Sequence, residues 1–316
     1  MKRPVVDVRH VGVTYVSGPV WSRRVTRAVD QITFEIAPGE TMGLVGESGS
    51  GKSTLGRVCL GLTPATEGVA LFENQWIGPK NKPPAGKLAV VLQNPEWALN
   101  PRLTVRTSVS EPLAILRRGT RKDRFDACRR ALEMVGLDHS FANRYPHELS
   151  GGQRQRVAIA RALVTEPRFI VFDEAVSALD ASVQTQVLNV IKDLQQLHGF
   201  AALFISHDLA ATRYVSDRIA VMYAGTFVEI GPARSFYARP IHPYSRALSA
   251  SAHDPEAGAF ALRGAAEDVS TLGCPFALRC PMSLARCHDE RPELRDFGPT
   301  QVACHRAEET LLEERQ

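Results

Sequence analysis

Gly46-Glu47-Ser48-Gly49-Ser50-Gly51-Lys52-Ser53-Thr54 stands between a short apolar run, Thr41 to Val45, and a helix-forming stretch, Leu55 to Leu62. It therefore lies where a buried strand turns into a helix. A polyphosphate is held best by consecutive backbone N–H groups curling around it at the positive end of a helix, and only small residues let the backbone approach so closely. Gly and Ser fill most of the first positions of the stretch. Lys52 is placed to reach the β and γ phosphates as a point charge, and the Ser53 hydroxyl to ligate Mg²⁺. A chance glycine-rich turn accounts for the glycines but not for Gly51-Lys52-Ser53-Thr54 between these flanks.

Three more apolar runs end in residues that suit the same chemistry. Phe169-Ile170-Val171-Phe172-Asp173-Glu174 reads as a strand buried on both faces with two carboxylates at its C-terminal rim, where α/β sheets bind ligands. Asp173 would hold Mg²⁺, and Glu174 would take a proton from the water that attacks the γ phosphate. Phe200 to Ile205 is another such strand, closed by Ser206-His207-Asp208, so His207 lands on the same rim and can contact the γ phosphate. Leu88 to Leu92 leads directly into Gln93, whose amide oxygen can face a metal ion while its nitrogen donates to water.

A second anion-binding signal is Leu149-Ser150-Gly151-Gly152-Gln153, which opens a helix reaching about Val164. Ser150 is a good N-cap, and two glycines at a helix start expose backbone donors. Residues 105 to 118 and 121 to 136 read as helices. Ser177-Ala178-Leu179-Asp180 turns the chain into a further helix, Ser182 to His198, with Val183, Val187, Val190, Ile191, Leu194 and Leu197 towards the core. Towards the N-terminus, Val5 to Val16 and Ile32 to Ile36 alternate as strands, and Tyr15 lies just before a loop containing Gly18-Pro19 and Trp21, where an aromatic ring can stack on adenine. Gly68 to Phe72 is a further strand, and Arg218 to Tyr223 with Thr226 to Ile230 form a closing hairpin.

Composition bounds these readings. In 316 residues, 44% hydrophobic and 23% charged content is ordinary for a soluble protein with room for a proper core. No apolar run approaches the roughly 20 residues of a membrane span, and Met1-Lys2-Arg3-Pro4 does not begin a signal peptide, so a cytosolic chain is expected. The formal charge of +4 is mild and its arginines are partly scattered, which gives no case for nucleic acid. Six cysteines in a cytosolic chain argue for thiols or metal ligands rather than disulfides. Cys59 and Cys128 read as small buried hydrophobes.

With the phosphate loop at 46 to 53, Gln93, LSGGQ at 149 to 153, the Phe172-Asp173-Glu174 strand end and His207 in this order, the chain resembles an ABC-transporter ATPase subunit from residue 5 to about 250. Gln93-Asn94-Pro95 with Leu99-Asn100-Pro101-Arg102, Arg144-Tyr145-Pro146-His147-Glu148, and Ile241-His242-Pro243-Tyr244 resemble the dipeptide/oligopeptide importer branch. The resemblance implies an α/β fold: a P-loop, RecA-like core with an antiparallel β subdomain, a helical subdomain at about 94–158 and a small Cys-containing tail. The ATP-binding domain would span 1–250 and the linker and tail 251–316. It further implies a head-to-tail dimer with a second ABC ATPase subunit, either a copy of this chain or, as the branch favours, a paralogue, each ATP lying between one phosphate loop and the other chain's LSGGQ. By position, Tyr15 stacks on adenine, Gly46 to Thr54 hold phosphates, and Ser53, Gln93 and Asp173 serve Mg²⁺. Glu174 is the base, His207 senses the γ phosphate, Ser150, Gly151, Gly152 and Gln153 clasp the partner's ATP, and Asp180 communicates across the dimer. Two transmembrane permease subunits and an extracytoplasmic solute-binding protein complete the implied system, with this chain peripheral on the cytoplasmic face of the membrane. A soluble ABC ATPase uncoupled from transport and an ATPase regulated by a redox-sensing tail are the competing readings.

Cys274-x5-Cys280-x6-Cys287 is followed by Cys304 after sixteen more residues, a spacing unlike the paired cysteines of zinc ribbons. Pro275 and Pro281 follow two of them. Four thiolates can hold a [4Fe–4S] cluster, and the tail resembles cluster-binding segments in some peptide-importer ATPases. Zinc and unligated thiols remain open alternatives. Residues 252 to 268, rich in Ala, Gly and acids, read as a linker.

Overall fold

A computed structural model describes residues 3–19, 22–78, 80–253, 270 and 272–313. Strands β1 (Val6–Ser17) and β2 (Arg24–Ile36) pair antiparallel from Val6 opposite Ile36 to Ser17 opposite Arg24. Between them in sequence and a second sheet come β3 (Thr41–Val45) and helix α1 (Lys52–Cys59), the strand-to-helix turn expected for the phosphate loop. β4 (Glu67–Phe72) and β5 (Gln75–Trp76) then complete a four-stranded antiparallel sheet in the order β2-β1-β4-β5.

The remaining strands build the main sheet. β6 (Leu88–Leu92) leads to three helices, α2 (Val105–Ile115), α3 (Arg121–Met134) and α4 (Gly151–Leu163). Then follow β7 (Phe169–Asp173), α5 (Ala181–His198), β8 (Ala201–Ile205), α6 (Leu209–Val215), β9 (Arg218–Tyr223) and β10 (Thr226–Pro232). After α7 (Ala233–Ala238) and α8 (Pro243–His253), the short strands β11 (Arg295–Phe297) and β12 (Thr300–Val302) close an eight-stranded sheet, β11-β12-β10-β9-β3-β8-β7-β6. From β9 to β6 the strands are parallel. Every residue of β3 and β8 is buried, as the unbroken apolar runs require when both faces of a parallel sheet are covered.

Each face has its own core. On one, Val105, Val109, Leu132, Val157 and Leu163 pack with Val187, Ile191 and Leu194 of α5 over Ile170, Phe172 and Phe204. On the other, Leu55, Val58 and Cys59 of α1 pack over Met42, Val171 and Ile205, with Val8, Val29 and Phe34 of the antiparallel sheet beyond. Leu197, expected to face the core, is 75% exposed, in contrast to Leu194, which is buried; it lies in the last turn of α5, just before the Gly199 C-cap.

The tail does not hang free. β12 pairs antiparallel with β10, Glu229 opposite Val302, and Cys274, Phe276 and Cys287 pack against Val45, Tyr223, Phe236 and Tyr244. Helix α8 continues to His253, two residues into the expected linker, while the rest of that linker, like Trp21, lies outside the described residues. Among the described residues no helix is long and apolar enough to cross a membrane.

Candidate functional site

Sheet register sets the site. Leu92 lies opposite Asp173, Asp173 opposite Ile205, and Leu44 opposite Ile205, so the parallel strands β6, β7, β8 and β3 end at one level. The residues that follow, Gln93, Glu174, Ser206-His207 and Gly46, therefore leave the sheet along the same rim. Here the four sequence signals, more than 150 positions apart at their extremes, converge for a reason the strands alone dictate.

The phosphate loop closes over the first turn of α1. Gly51 is the N-cap of that helix with φ +104°, a left-handed conformation that suits glycine, and a Cβ there would also collide with the Ala28 carbonyl. Lys52 is only 5% exposed, and its Nζ donates to the carbonyls of Gly46 (2.8 Å) and Glu47 (2.7 Å) and, at 3.4 Å, to Ser50 Oγ. Burial pulls the Lys52 ammonium below its ordinary pKa, against the opposing attraction of Glu174, Asp173 and Glu47. A cavity of about 250 Å³ is lined by Ala28, Ser48, Gly49, Gly51, Lys52, Ser53, Thr54 and Glu174. It is a positive-ended, small-residue cradle with one acid on its far wall.

Ser53 Oγ donates to Asp173 Oδ1 at 2.9 Å, so a hydroxyl and a carboxylate already converge; these hard oxygen donors suit Mg²⁺. Burial raises the Asp173 carboxyl above the usual range, the environment in which a divalent cation would favour the ionised form. Glu174 adopts φ +52°, unusual for a residue with a side chain, and its N–H is bonded to the Ile205 carbonyl at 2.9 Å. That backbone directs its carboxylate to His207, with Nδ1 3.1 Å from Oε2. Gln93 is exposed beside β7, and Tyr15, 43% exposed on β1 opposite Thr26, does not line the cavity.

The LSGGQ segment stands apart from this cavity in the same chain. Ser150 and Gln153 form a reciprocal capping box at the start of α4: Ser150 Oγ accepts from Gln153 N–H (3.3 Å) and Gln153 Oε1 from Ser150 N–H (3.0 Å). Gly151 is exposed, but Gly152 is buried, and a Cβ on it would strike Val183 of α5. The second glycine thus answers to helix packing as well as to a free N-terminus. Asp180 caps α5, its Oδ1 accepting from Val183 N–H at 3.0 Å, and that hydrogen bond holds its carboxyl below the usual range.

Sequence reasoning missed what secures Glu47. Both oxygens of its carboxylate accept from Arg279 in the tail, each at 2.9 Å, and its N–H donates to Tyr244 Oη at 2.8 Å. An acid inside an anion-binding loop was the available signal. Its partner, 232 positions away, was not.

The tail cysteines do come into one neighbourhood. Burial first, then Cys287, Cys304 and Cys280, push the Cys274 thiol up to about 12, and burial with Cys304 and Cys287 pushes Cys280 up to about 11. Backbone N–H groups of Leu284 and Arg306 donate to the sulfurs of Cys287 and Cys304, each at 3.4 Å. Yet among the described residues no group of three or more His, Cys, Asp or Glu side chains is arranged to hold a metal ion, so the expected [4Fe–4S] site gains no support from the side-chain placement. Cys59 and Cys128 are buried core thiols.

Comparison with known proteins follows the same lines. A family profile described as ABC transporter matches residues 29–177, and one described as Oligopeptide/dipeptide transporter, C-terminal region, matches residues 228–287. A peptide import ATP-binding protein of Brucella abortus (strain 2308) is 49% identical over 296 residues, which cover 91% of this chain and 89% of that protein. The oligopeptide transport ATP-binding protein YkfD of Bacillus subtilis (strain 168) is 43% identical over 316 residues, covering 96% and 95%. Among solved structures, the dimeric post-hydrolysis state of the ATP-binding cassette MJ0796 bound to ADP and Pi superposes with a TM-score of 0.65 at 30% identity, over 72% of this chain and 99% of that one. The structure of cbiO1 from Clostridium perfringens, part of the ABC transporter complex cbiONQ, shares the fold, with a TM-score of 0.66 at 24% identity over 81% and 98%.

Proposed function

The chain belongs to the peptide-import branch of the ABC-transporter ATP-binding subunits, and on that premise we propose that it hydrolyses ATP to drive uptake of peptides or related solutes through a membrane permease. One observation carries the reading: Lys52, Ser53, Asp173, Glu174 and His207 share one sheet rim around the phosphate-loop cavity, while the exposed start of α4 at Ser150-Gly151 takes no part in it. A chain with two separated anion sites is suited to a head-to-tail dimer, with Ser150 to Gln153 completing the partner's site.

Within this reading the residues divide the work. Gly46 to Thr54 cradle the phosphates, and Tyr15, exposed on β1, offers its ring to adenine. Ser53, Asp173 and Gln93 would hold Mg²⁺, which when bound neutralises charge on the phosphates. Glu174 takes the proton of the attacking water while His207 orients that carboxylate and faces the γ phosphate. Asp180, at the head of α5, ties the segment after Glu174 to the dimer face. We assign 1–250 to the ATPase domain, about 94–158 to its helical part and 251–316 to the linker and tail. The permease pair, a paralogous ATPase and a solute-binding protein are the proposed partners, which places the chain on the cytoplasmic face of the membrane.

The test is co-expression with the permease pair and the paralogous ATPase, followed by reconstitution into vesicles. The chain is expected to co-purify and to release phosphate from MgATP faster when peptide-loaded binding protein is added. Hydrolysis indifferent to that addition would overturn the coupling to transport.

For the tail, we propose the [4Fe–4S] cluster as the finer reading, on the spacing of Cys274, Cys280, Cys287 and Cys304 and the N–H donors to two of their sulfurs, and against a side-chain placement that forms no metal-holding group among the described residues. Protein purified without oxygen is expected to contain about four irons and four sulfides per chain, with a broad brown absorbance. Iron well below one per chain would discard the cluster; one zinc per chain in its place would make the thiols zinc ligands, and no metal would leave them unligated.

A further inference from the structure

Glu47 is the one acid in a loop built to hold polyphosphate. A free carboxylate there would repel the phosphates and compete with them for Lys52, which already feels its charge. The tail prevents this. Arg279 lies in the run of turns between Cys274 and Cys280, its side chain only 3% exposed, and grips the Glu47 carboxylate with a two-pronged fork, Nη1 to Oε2 and Nη2 to Oε1 at 2.9 Å. Nη1 also reaches Tyr223 Oη at 3.3 Å, and the guanidinium stands 5.7 and 5.8 Å from the rings of Tyr223 and Phe276.

The backbone of Glu47 is held by a second route from the same end of the chain. Its N–H donates to Tyr244 Oη, and Tyr244 is fixed in turn by the Ile241-His242-Pro243-Tyr244 segment. Buried Glu229 accepts the N–H groups of Ile241 (3.0 Å) and His242 (2.8 Å), and His242 Nδ1 accepts from Tyr244 N–H at 3.0 Å. Tyr223, Tyr244 and Phe276 pack as one aromatic cluster with ring centroids 4.8 to 5.4 Å apart. Side chain and main chain of one loop residue are thus both anchored by residues beyond 222.

We infer that Arg279 is a positioning residue for the nucleotide site, its fork pinning and neutralising the Glu47 carboxylate so that the phosphate loop can accept ATP. The inference rests on the ATP-binding reading above. It makes the C-terminal tail part of the nucleotide site of its own chain.

The experiment is a titration of the full chain with a fluorescent ATP analogue and Mg²⁺, together with thermal melts, for Arg279→Gln, Arg279→Lys, and Arg279→Gln combined with Glu47→Gln. Loss of a charge-assisted, bidentate pair predicts a Kd raised about tenfold in Arg279→Gln, and about threefold in Arg279→Lys, which keeps the charge but not the fork. The double variant, from which the stranded carboxylate is gone, is expected to return to within about threefold of the wild type. Recovery of affinity is a readout that a purely structural role does not produce. An unchanged Kd in Arg279→Gln, or a Kd equally raised in the single and double variants alongside a lower melting temperature, overturns the proposal. Should Arg279→Gln fail to fold, wild-type affinity in a folded Arg279→Lys overturns it as well. Wild-type protein that binds no nucleotide would instead remove the ATP reading itself.

Discussion

Replacing Glu174 by Gln is expected to lower steady-state ATP turnover by about 10²- to 10⁴-fold while nucleotide affinity holds. The substitution keeps shape and hydrogen-bonding reach and deletes only the capacity to take a proton. Glu174 is held for that task by its own backbone, with φ +52° and an N–H bonded across to β8, and by His207 at 3.1 Å from its carboxylate. An amide can still face His207, so the cradle should stay assembled and ATP should accumulate unhydrolysed. In the dimer proposed above, this traps the closed state, visible as an ATP-dependent shift from monomer to dimer in gel filtration. Phosphate release at the wild-type rate would remove Glu174 as the base. Lost affinity together with lost turnover would show that its part is in binding instead.

β6, β7 and β8 were legible because each is an unbroken apolar run of four or five residues ending at a polar signal; β7 and β8 are buried along almost their whole length, as such a run requires between two covered faces, while β6 at the sheet edge is only partly buried. Leu88–Leu92 was bounded to the residue on that pattern alone. Because the candidate residues follow strand ends, reading the strands also placed them: Gln93, Asp173, Glu174 and His207 were singled out one at a time, and the register brings the ends of their strands level. β11 and β12 carry three residues each, too few for alternation to show, and they exist because β10 offers an edge for pairing. Gly152 was read as an exposed donor, and its contact with Val183 belongs to a helix thirty positions on. The same limit hid Arg279: it reads as one more arginine until folding sets it on Glu47. Local chemistry is written in local sequence, while a close approach between distant elements is not.

Lys52→Ala is expected to weaken ATP binding by about 2–3 kcal/mol, or roughly 30- to 150-fold in Kd, the loss of a buried charge-assisted contact. The Lys52 ammonium donates to the Gly46 and Glu47 carbonyls at 2.8 and 2.7 Å and is 5% exposed, so its charge is fixed along the loop rather than spread into solvent. Without the ammonium, Asp173 and Glu174 face the incoming phosphates with one fewer cation between them, so repulsion adds to the missing contact. The loss should therefore be larger for ATP than for ADP, whose charge lies farther from Glu174, and smaller at high salt. Titrations with both nucleotides at two ionic strengths read all three effects. Equal Kd values for the variant and the wild type would remove Lys52 from the phosphate site, and an equal loss for ATP and ADP would confine its reach to the β phosphate.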